Sequence, residues 1–345
     1  MNWFHYKGGL VLESVAVLPE FTLCYHTFGR LNERKDNVIW ICHALTASSD
    51  VQSWWPDLIG EQLTFDTNEY FIICVNILGS CYGSTGPLSP NPVTNKPYYH
   101  EFPFITIRDM VRSYQLLAKH LHIQKIKLLA GGSMGGYQAL EWTVTEPSFI
   151  EQLFLIATAA RESSWRIAIH TAQRMAIEAD TTFQQSFDKA GENGLKAARA
   201  IGMLTYRNPR IYDDKQREED TNKLDHFKAS SYIEYQGSKL AKRFNAFSYW
   251  VLTKAMDTHN LARGRNQTIE ELLQALPQRT LVMGIHTDIL CPLHEEQFLA
   301  EKIPDAQLIT IDSDYGHDGF LTERKEIALH LNRWLKKKLV VNDQG

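Results

Sequence analysis

The sequence predicts a doubly wound α/β protein: a mostly parallel sheet with a helical lid insertion. Three observations predict it. Six short apolar runs recur along the chain, amphipathic segments separate them, and residues 161–275 break the rhythm with helical, charge-rich sequence. Runs that are apolar on both faces are what a parallel sheet needs when helices cover it on both sides. Strand and helix in alternation give that layering.

In the first forty residues apolar positions alternate: Leu10, Leu12, Val15 through Leu18, then Phe21, Leu23 and Tyr25. This predicts an antiparallel entry to the sheet. The buried strands are expected at 37–42, 70–77, 127–130, 153–156, 280–283 and 308–311. Ile107, Met110, Val111, Tyr114, Leu117, Ala118 and Leu121 keep the three-and-four spacing of one amphipathic helix. Residues 1–160 and 276–345 thus form the core, and 161–275 form a helical lid. The tract 213–220 reads as a solvated loop or helix edge, and Lys336-Lys337-Lys338 as a solvated helix end.

Composition removes several classes of function. With 36 basic and 40 acidic residues the net charge is −4, which does not suit nucleic acid or an anionic membrane as the main partner. No apolar run approaches the roughly 18–20 residues of a membrane span. The segment Met1-Asn2-Trp3-Phe4-His5-Tyr6-Lys7 lacks the apolar stretch of a signal peptide. The five cysteines, Cys24, Cys42, Cys74, Cys81 and Cys291, are scattered without a C-x-x-C pair, so neither a disulfide framework nor a structural zinc is indicated. The expectation is a reduced, cytoplasmic protein with no metal.

The sharpest local feature is Leu128-Leu129-Ala130-Gly131-Gly132-Ser133-Met134-Gly135-Gly136. It holds G-x-S-x-G after a buried strand and before a helix, the context of a nucleophile elbow. Such a serine needs a base and an orienting acid, in the chain order Ser, Asp or Glu, His. Asp288 follows the fifth apolar run and His317 follows the sixth, both beyond the C-terminal ends of strands, where an open α/β sheet places its site. His317 would take the proton of Ser133, and Asp288 would fix the imidazole tautomer. His286, Asp314 and Asp318 are nearby competitors. The oxyanion hole is expected from the N–H groups of Met134 and Leu45, the latter in the loop after the first buried strand. His43, in the same loop, reads as a hydrogen-bonded loop residue.

Several segments share a further likeness: His43-Ala44-Leu45-Thr46, Gly83-Ser84-Thr85-Gly86-Pro87, the stretch from Gly131 to Trp142, Thr205-Tyr206-Arg207, Tyr235-Gln236-Gly237, and Gly316-His317-Asp318 followed by Phe320-Leu321. Together they resemble the homoserine O-acetyltransferases, acyl-CoA-dependent enzymes of methionine synthesis with an α/β-hydrolase fold. The resemblance runs from about residue 10 to residue 335. It implies acetyl-CoA as co-substrate, L-homoserine as acceptor and no bound cofactor. It also implies that Arg199, Tyr206 and Asp318 bind homoserine. Arg199 and Tyr206 are two helical turns apart and can face one pocket. A guanidinium there would grip the substrate carboxylate, and Asp318 would hold the ammonium. Arg174 matches a lid position that is either structural or lines the mouth. Ala47, Thr181 and Asn245 depart from the family pattern, where Gly, Pro and Asp are usual.

The implied reaction is a ping-pong transfer through acyl-Ser133, with the lid keeping water from the acyl-enzyme. Lys239, Lys242, Arg243 and Arg265 are either contacts for coenzyme A phosphates or a solvated helix face. Trp165, Ile169 and Ile177 suggest a homodimer seam. The rival readings are a serine esterase or thioesterase, a transferase using succinyl-CoA or L-serine, and a non-catalytic binding module. An intact Ser133, Asp288 and His317 argue against the last.

Overall fold

A computed structural model describes residues 1–336. Lys337 and Lys338, read as part of a helix end, lie outside the described residues. Eight strands form the main sheet: β1 (Asn2–Tyr6), β2 (Phe21–Phe28), β3 (Val38–Cys42), β4 (Phe71–Val75), β5 (Ile126–Gly132), β6 (Gln152–Ile156), β7 (Arg279–Ile285) and β8 (Ala306–Ile311). Their order is β1-β2-β4-β3-β5-β6-β7-β8. The β1–β2 and β2–β4 pairs are antiparallel, and every other pair is parallel.

The continuous apolar runs have a simple cause. In β3, Val38, Trp40 and Cys42 enter one core while Ile39 and Ile41 enter another, on the opposite side of the sheet. Both faces are covered, so no position in the strand is free to be polar. Trp40 meets Trp142 edge to face, ring centroids 4.8 Å apart, in the first core. Trp55 and Phe154 stack in the second. Strand β8 differs from the expectation: as the sheet's edge it is only partly buried. The antiparallel entry holds β1 as well, which alternation alone did not reveal.

The helices are α1 (Ile107–His120), α2 (Met134–Thr145), α3 (Ser164–Glu178), α4 (Glu192–Tyr206), α5 (Pro209–Lys215), α6 (Lys228–Ala241), α7 (Ala246–Asp257), α8 (Ile269–Gln274), α9 (His294–Lys302), α10 (Gly319–Thr322) and α11 (Arg324–Lys336). Thr106 caps α1 through a reciprocal box with Asp109, which sets where that helix starts. All of α3 to α8 lies between β6 and β7, which are neighbours in the sheet. Helix α3 packs on α4 and α7, and α4 packs on α6, while α8 packs on α9 beside the sheet. Ile177 is fully enclosed and Ile169 nearly so, because α3 turns them toward its neighbours. Those two residues therefore do not form an exposed seam. The apolar residues that α3, α4 and α6 do expose include Trp165, Met175, Leu204 and Tyr235. Asn245 caps α7, its side chain accepting the Ser248 N–H at 2.7 Å, the work an aspartate would do there.

Candidate active site

Strand β5 runs straight into the turn that carries Ser133, and α2 begins at the next residue. Ser133 sits at φ 54° and ψ −127°, a strained backbone for a side chain to adopt. The turn is tight enough that a Cβ on Gly135 would lie 2.0 Å from the Cys42 carbonyl oxygen, so only glycine fits. Two bonds fasten the turn to the sheet. The Ser133 N–H donates to Ile156 O at 3.0 Å, and Thr158 Oγ1 donates to Ser133 O at 2.9 Å.

Asp288 lies in the loop after β7, and His317 in the turn Gly316–Asp318 after β8. His317 Nε2 is 2.9 Å from Ser133 Oγ, and its Nδ1 is 2.6 Å from Asp288 Oδ2. The other oxygen of Asp288 accepts the N–H groups of Leu290 and Cys291, each at 2.8 Å. All three side chains are buried. The structure thus brings Ser133, His317 and Asp288 into one hydrogen-bonded chain, at the N-terminus of a twelve-residue helix whose dipole favours a developing anion. Such a chain can deprotonate the serine and stabilise the imidazolium that results. Cys291 also lies near, with Asp288 and His317 ligand-type atoms within 4.8 Å. That set suits proton handling more than a cation: burial pushes the Cys291 thiol up, so it stays protonated, and both Asp288 oxygens are already bonded.

The backbone N–H groups of both expected oxyanion donors are free of partners among the described residues. The Met134 N–H is the first of α2 and has no partner within the helix. No hydrogen bond among the described residues uses the Leu45 N–H. Their loop and helix are tied together by Gln138, whose Nε2 reaches His43 O at 3.3 Å and Met134 O at 3.2 Å, while its Oε1 accepts the Tyr114 hydroxyl at 2.8 Å. Neither residue carries a sequence signal beyond its apolar helix. His43 holds the loop from within. Its Nδ1 lies 2.8 Å from Ala44 O, and its Nε2 accepts the Ile77 N–H at 3.3 Å.

This neutral His43 has a measurable consequence. Burial lowers its pKa to about 4, and burial likewise lowers that of His259 to about 3. Unfolded, each would titrate near roughly 6.5. As pH falls, the unfolded chain takes up the protons first, so stability is full above about 6.5 and is lost as pH drops toward the folded values. His43 alone is expected to cost on the order of 3 kcal/mol over that window. Urea unfolding midpoints at about pH 7 and about pH 4.5 test it; equal midpoints would contradict a buried neutral imidazole.

Above the site stands the end of α4. The Tyr206 ring centroid lies 6.1 Å from that of His317, and the Arg199 guanidinium lies over Tyr206 at 5.1 Å. Gly316, at φ 59°, is pressed so close to Asn208 and Arg207 that a Cβ would meet the Asn208 nitrogen at 2.9 Å. Arg199 has neither a carboxylate partner nor a hydrogen bond among the described residues. Asp318 differs: its Oδ2 accepts Arg207 Nε at 2.8 Å. Arg207 is thus a neighbour of the site that sequence reasoning quoted but gave no role, since nothing in its spacing points to Asp318.

Other candidates resolve differently. Arg174 is buried and bonds Asp257 Oδ2 at 2.6 Å, tying α3 to α7 as a structural residue. Arg265 pairs with Glu141, its Nη1 3.1 Å from Oε2. Glu141 lies eight residues along α2 from Ser133, about 12 Å at the helical rise, so Arg265 belongs to the far end of that helix and is spent on its own salt bridge. Arg243 donates to Thr46 O at 2.5 Å and to the Tyr82 hydroxyl, linking the lid to the loop of Leu45. Lys239 lies over Tyr235, and Lys242 is exposed.

The chain is similar to known proteins in fold and in sequence. The model of the alpha/beta hydrolase fold matches residues 37–324. The homoserine O-acetyltransferase of Cyclobacterium marinum is 47% identical over 324 residues, covering 94% of this chain and 92% of that one. The chain belongs to the homoserine O-acetyltransferase family. A crystal structure of the Staphylococcus aureus member is 28% identical, with a TM-score of 0.80 over 97% of this chain and 94% of that one. Esterase E22, 24% identical, superposes with a TM-score of 0.88 over 97% of this chain and 99% of that one, so the fold extends beyond the homoserine O-acetyltransferase family to hydrolases. Among the described residues no helix is long and apolar enough to cross a membrane.

Proposed function

We propose that this chain is a homoserine O-acetyltransferase working by ping-pong transfer through acyl-Ser133. The observation that carries the proposal is the chain from Asp288 through His317 to Ser133, lying beneath a lid helix whose Arg199 has no carboxylate partner among the described residues. Ser133 Oγ attacks the thioester carbon of acetyl-CoA as its proton passes to His317 Nε2. The N–H groups of Met134 and Leu45 hold the oxyanion. The C–S bond breaks, and the proton on His317 leaves with the thiol of coenzyme A. L-Homoserine then enters with its carboxylate on Arg199 and Tyr206 and its ammonium at Asp318, sharing that carboxylate with Arg207. His317 removes the hydroxyl proton, the oxygen attacks the acyl carbon, the bond from that carbon to Ser133 Oγ breaks, and His317 returns the proton to Ser133 as O-acetylhomoserine forms.

A thioester and an oxygen ester are close in reactivity, so the task is to keep water from the acyl-serine. Residues 161–275 act as the lid over a core of 1–160 and 276–345, of which 337–345 lie outside the described residues, and the contact of α4 with the Gly316 turn supports that role. We further assign the protein to the cytoplasm and to methionine synthesis, with no bound cofactor. We also assign it a homodimer built on exposed lid residues such as Trp165, Met175 and Leu204.

The deciding experiment follows release of coenzyme A thiol from acetyl-CoA, with homoserine, serine or no acceptor. Release that requires homoserine, with its O-acetyl ester identified by mass, is the expected result. Release without an acceptor, yielding acetate, would make the protein an esterase with a lid.

A further inference from the structure

The first turn of α3 touches three consecutive residues of the loop that carries Asp288. Trp165 Nε1 donates to Ile289 O at 2.8 Å. Arg166 Nη1 lies 3.3 Å from Leu290 O and 3.4 Å from Cys291 Sγ. The backbone N–H groups of those same residues, Leu290 and Cys291, are the ones that hold Asp288 Oδ1. We infer that Trp165 and Arg166 are positioning residues for the triad acid, fixing Asp288 through the 289–291 loop and so tying the lid's first helix to the catalytic hydrogen-bond chain.

Arg166 is built for this work. Its side chain is almost fully buried, and it is held by Glu162, by Glu295 and by the Arg161 carbonyl at 3.0 Å. Glu162 in turn accepts the Tyr137 hydroxyl at 3.2 Å, and Tyr137 stands on α2, one turn after Ser133. The guanidinium therefore bridges the serine's helix, the acid's loop and the start of the lid. A planar fork can serve several acceptors at fixed angles, which an ammonium cannot do. The ionisable groups facing Arg166 are Glu162, Glu295, Glu296, Tyr137, Cys291 and His259. Beside His317, beyond Asp288 and Ser133, are Cys291 and Tyr206, and its chain neighbour Asp318 is paired with Arg207.

The inference rests on the acyl-Ser133 reading, and its test separates the two. The full-length protein is mixed with p-nitrophenyl acetate. The burst of p-nitrophenolate counts acylated serines, and its rate gives acylation per site. A wild-type protein without a burst would defeat the acyl-serine reading itself. Given a burst, Arg166→Lys keeps the charge but loses the fork, and Trp165→Phe keeps the ring but loses the N–H. Each is expected to slow acylation per titrated site, Arg166→Lys by about tenfold or more, short of the roughly 10⁴-fold seen when a triad acid is disabled. The acid limb of the rate profile should move to lower pH, because an imidazolium with a displaced carboxylate loses its proton more easily. A merely structural role would lower the melting temperature or the fraction of titratable sites and leave that limb in place. A moved limb in either variant supports the inference, and unmoved limbs with wild-type rates per site overturn it. Should Arg166→Lys fail to fold, Trp165→Phe, on a half-exposed side chain, decides alone.

Discussion

Ser133→Ala is expected to abolish the acyl-enzyme and to lower acetyl transfer by about 10⁴–10⁶-fold. The size follows from the role: His317 would still stand at the end of its hydrogen-bond chain with no oxygen to activate. Residual turnover would come only from the remaining N–H donors and from holding the substrates together. Intact-protein mass after brief exposure to acetyl-CoA is the direct check. The wild type should gain one acetyl group and the variant none. A variant that still acylates would remove Ser133 from the elbow role, whatever its rate.

Arg199→Ala carries the second large effect, and it should fall on one half-reaction. Arg199 is half-buried, lies over the Tyr206 ring and lacks a carboxylate partner among the described residues. A substrate carboxylate would supply that partner. Losing a charged hydrogen bond of about 1.5–3 kcal/mol should reduce kcat/KM for homoserine by roughly 10–100-fold. Acylation by acetyl-CoA alone should be unchanged, because that step precedes homoserine. Equal loss in both half-reactions would mean that Arg199 only supports α4.

The frame was legible because burial on both faces leaves an unbroken apolar mark, as in 37–42 and 153–156. Strand β1 left no such mark: it lies at the sheet edge with only Phe4 enclosed. Ser133, Asp288 and His317 could be found because an elbow prescribes both local sequence and chain order. The roles of Arg166 and Arg207 could not, since Leu290 and Cys291 lie 124 and 125 residues from Arg166, Asp318 lies 111 from Arg207, and these pairings exist only once the chain has folded. Ile169 and Ile177 teach the same point from the apolar side. Helical spacing says that a face is buried, not whether a second copy or the chain's own helices bury it. Arg265 repeats it for charge, because a basic residue in a lid segment carries no sign of the Glu141 that neutralises it.

The long passage from β6 to β7 has one more consequence, which concerns time. Ser133 and His317 are separated by 184 residues, and every lid helix is encoded between them. A ribosome adding about 5–20 residues per second completes that stretch in roughly 10–40 s. Throughout that interval the nascent chain carries Ser133 without His317, and α3 to α7 emerge before His317 does. The roof is therefore translated ahead of the trigger. On the acyl-Ser133 reading, residue order alone completes the proposed cover of the serine before the residue proposed to activate it.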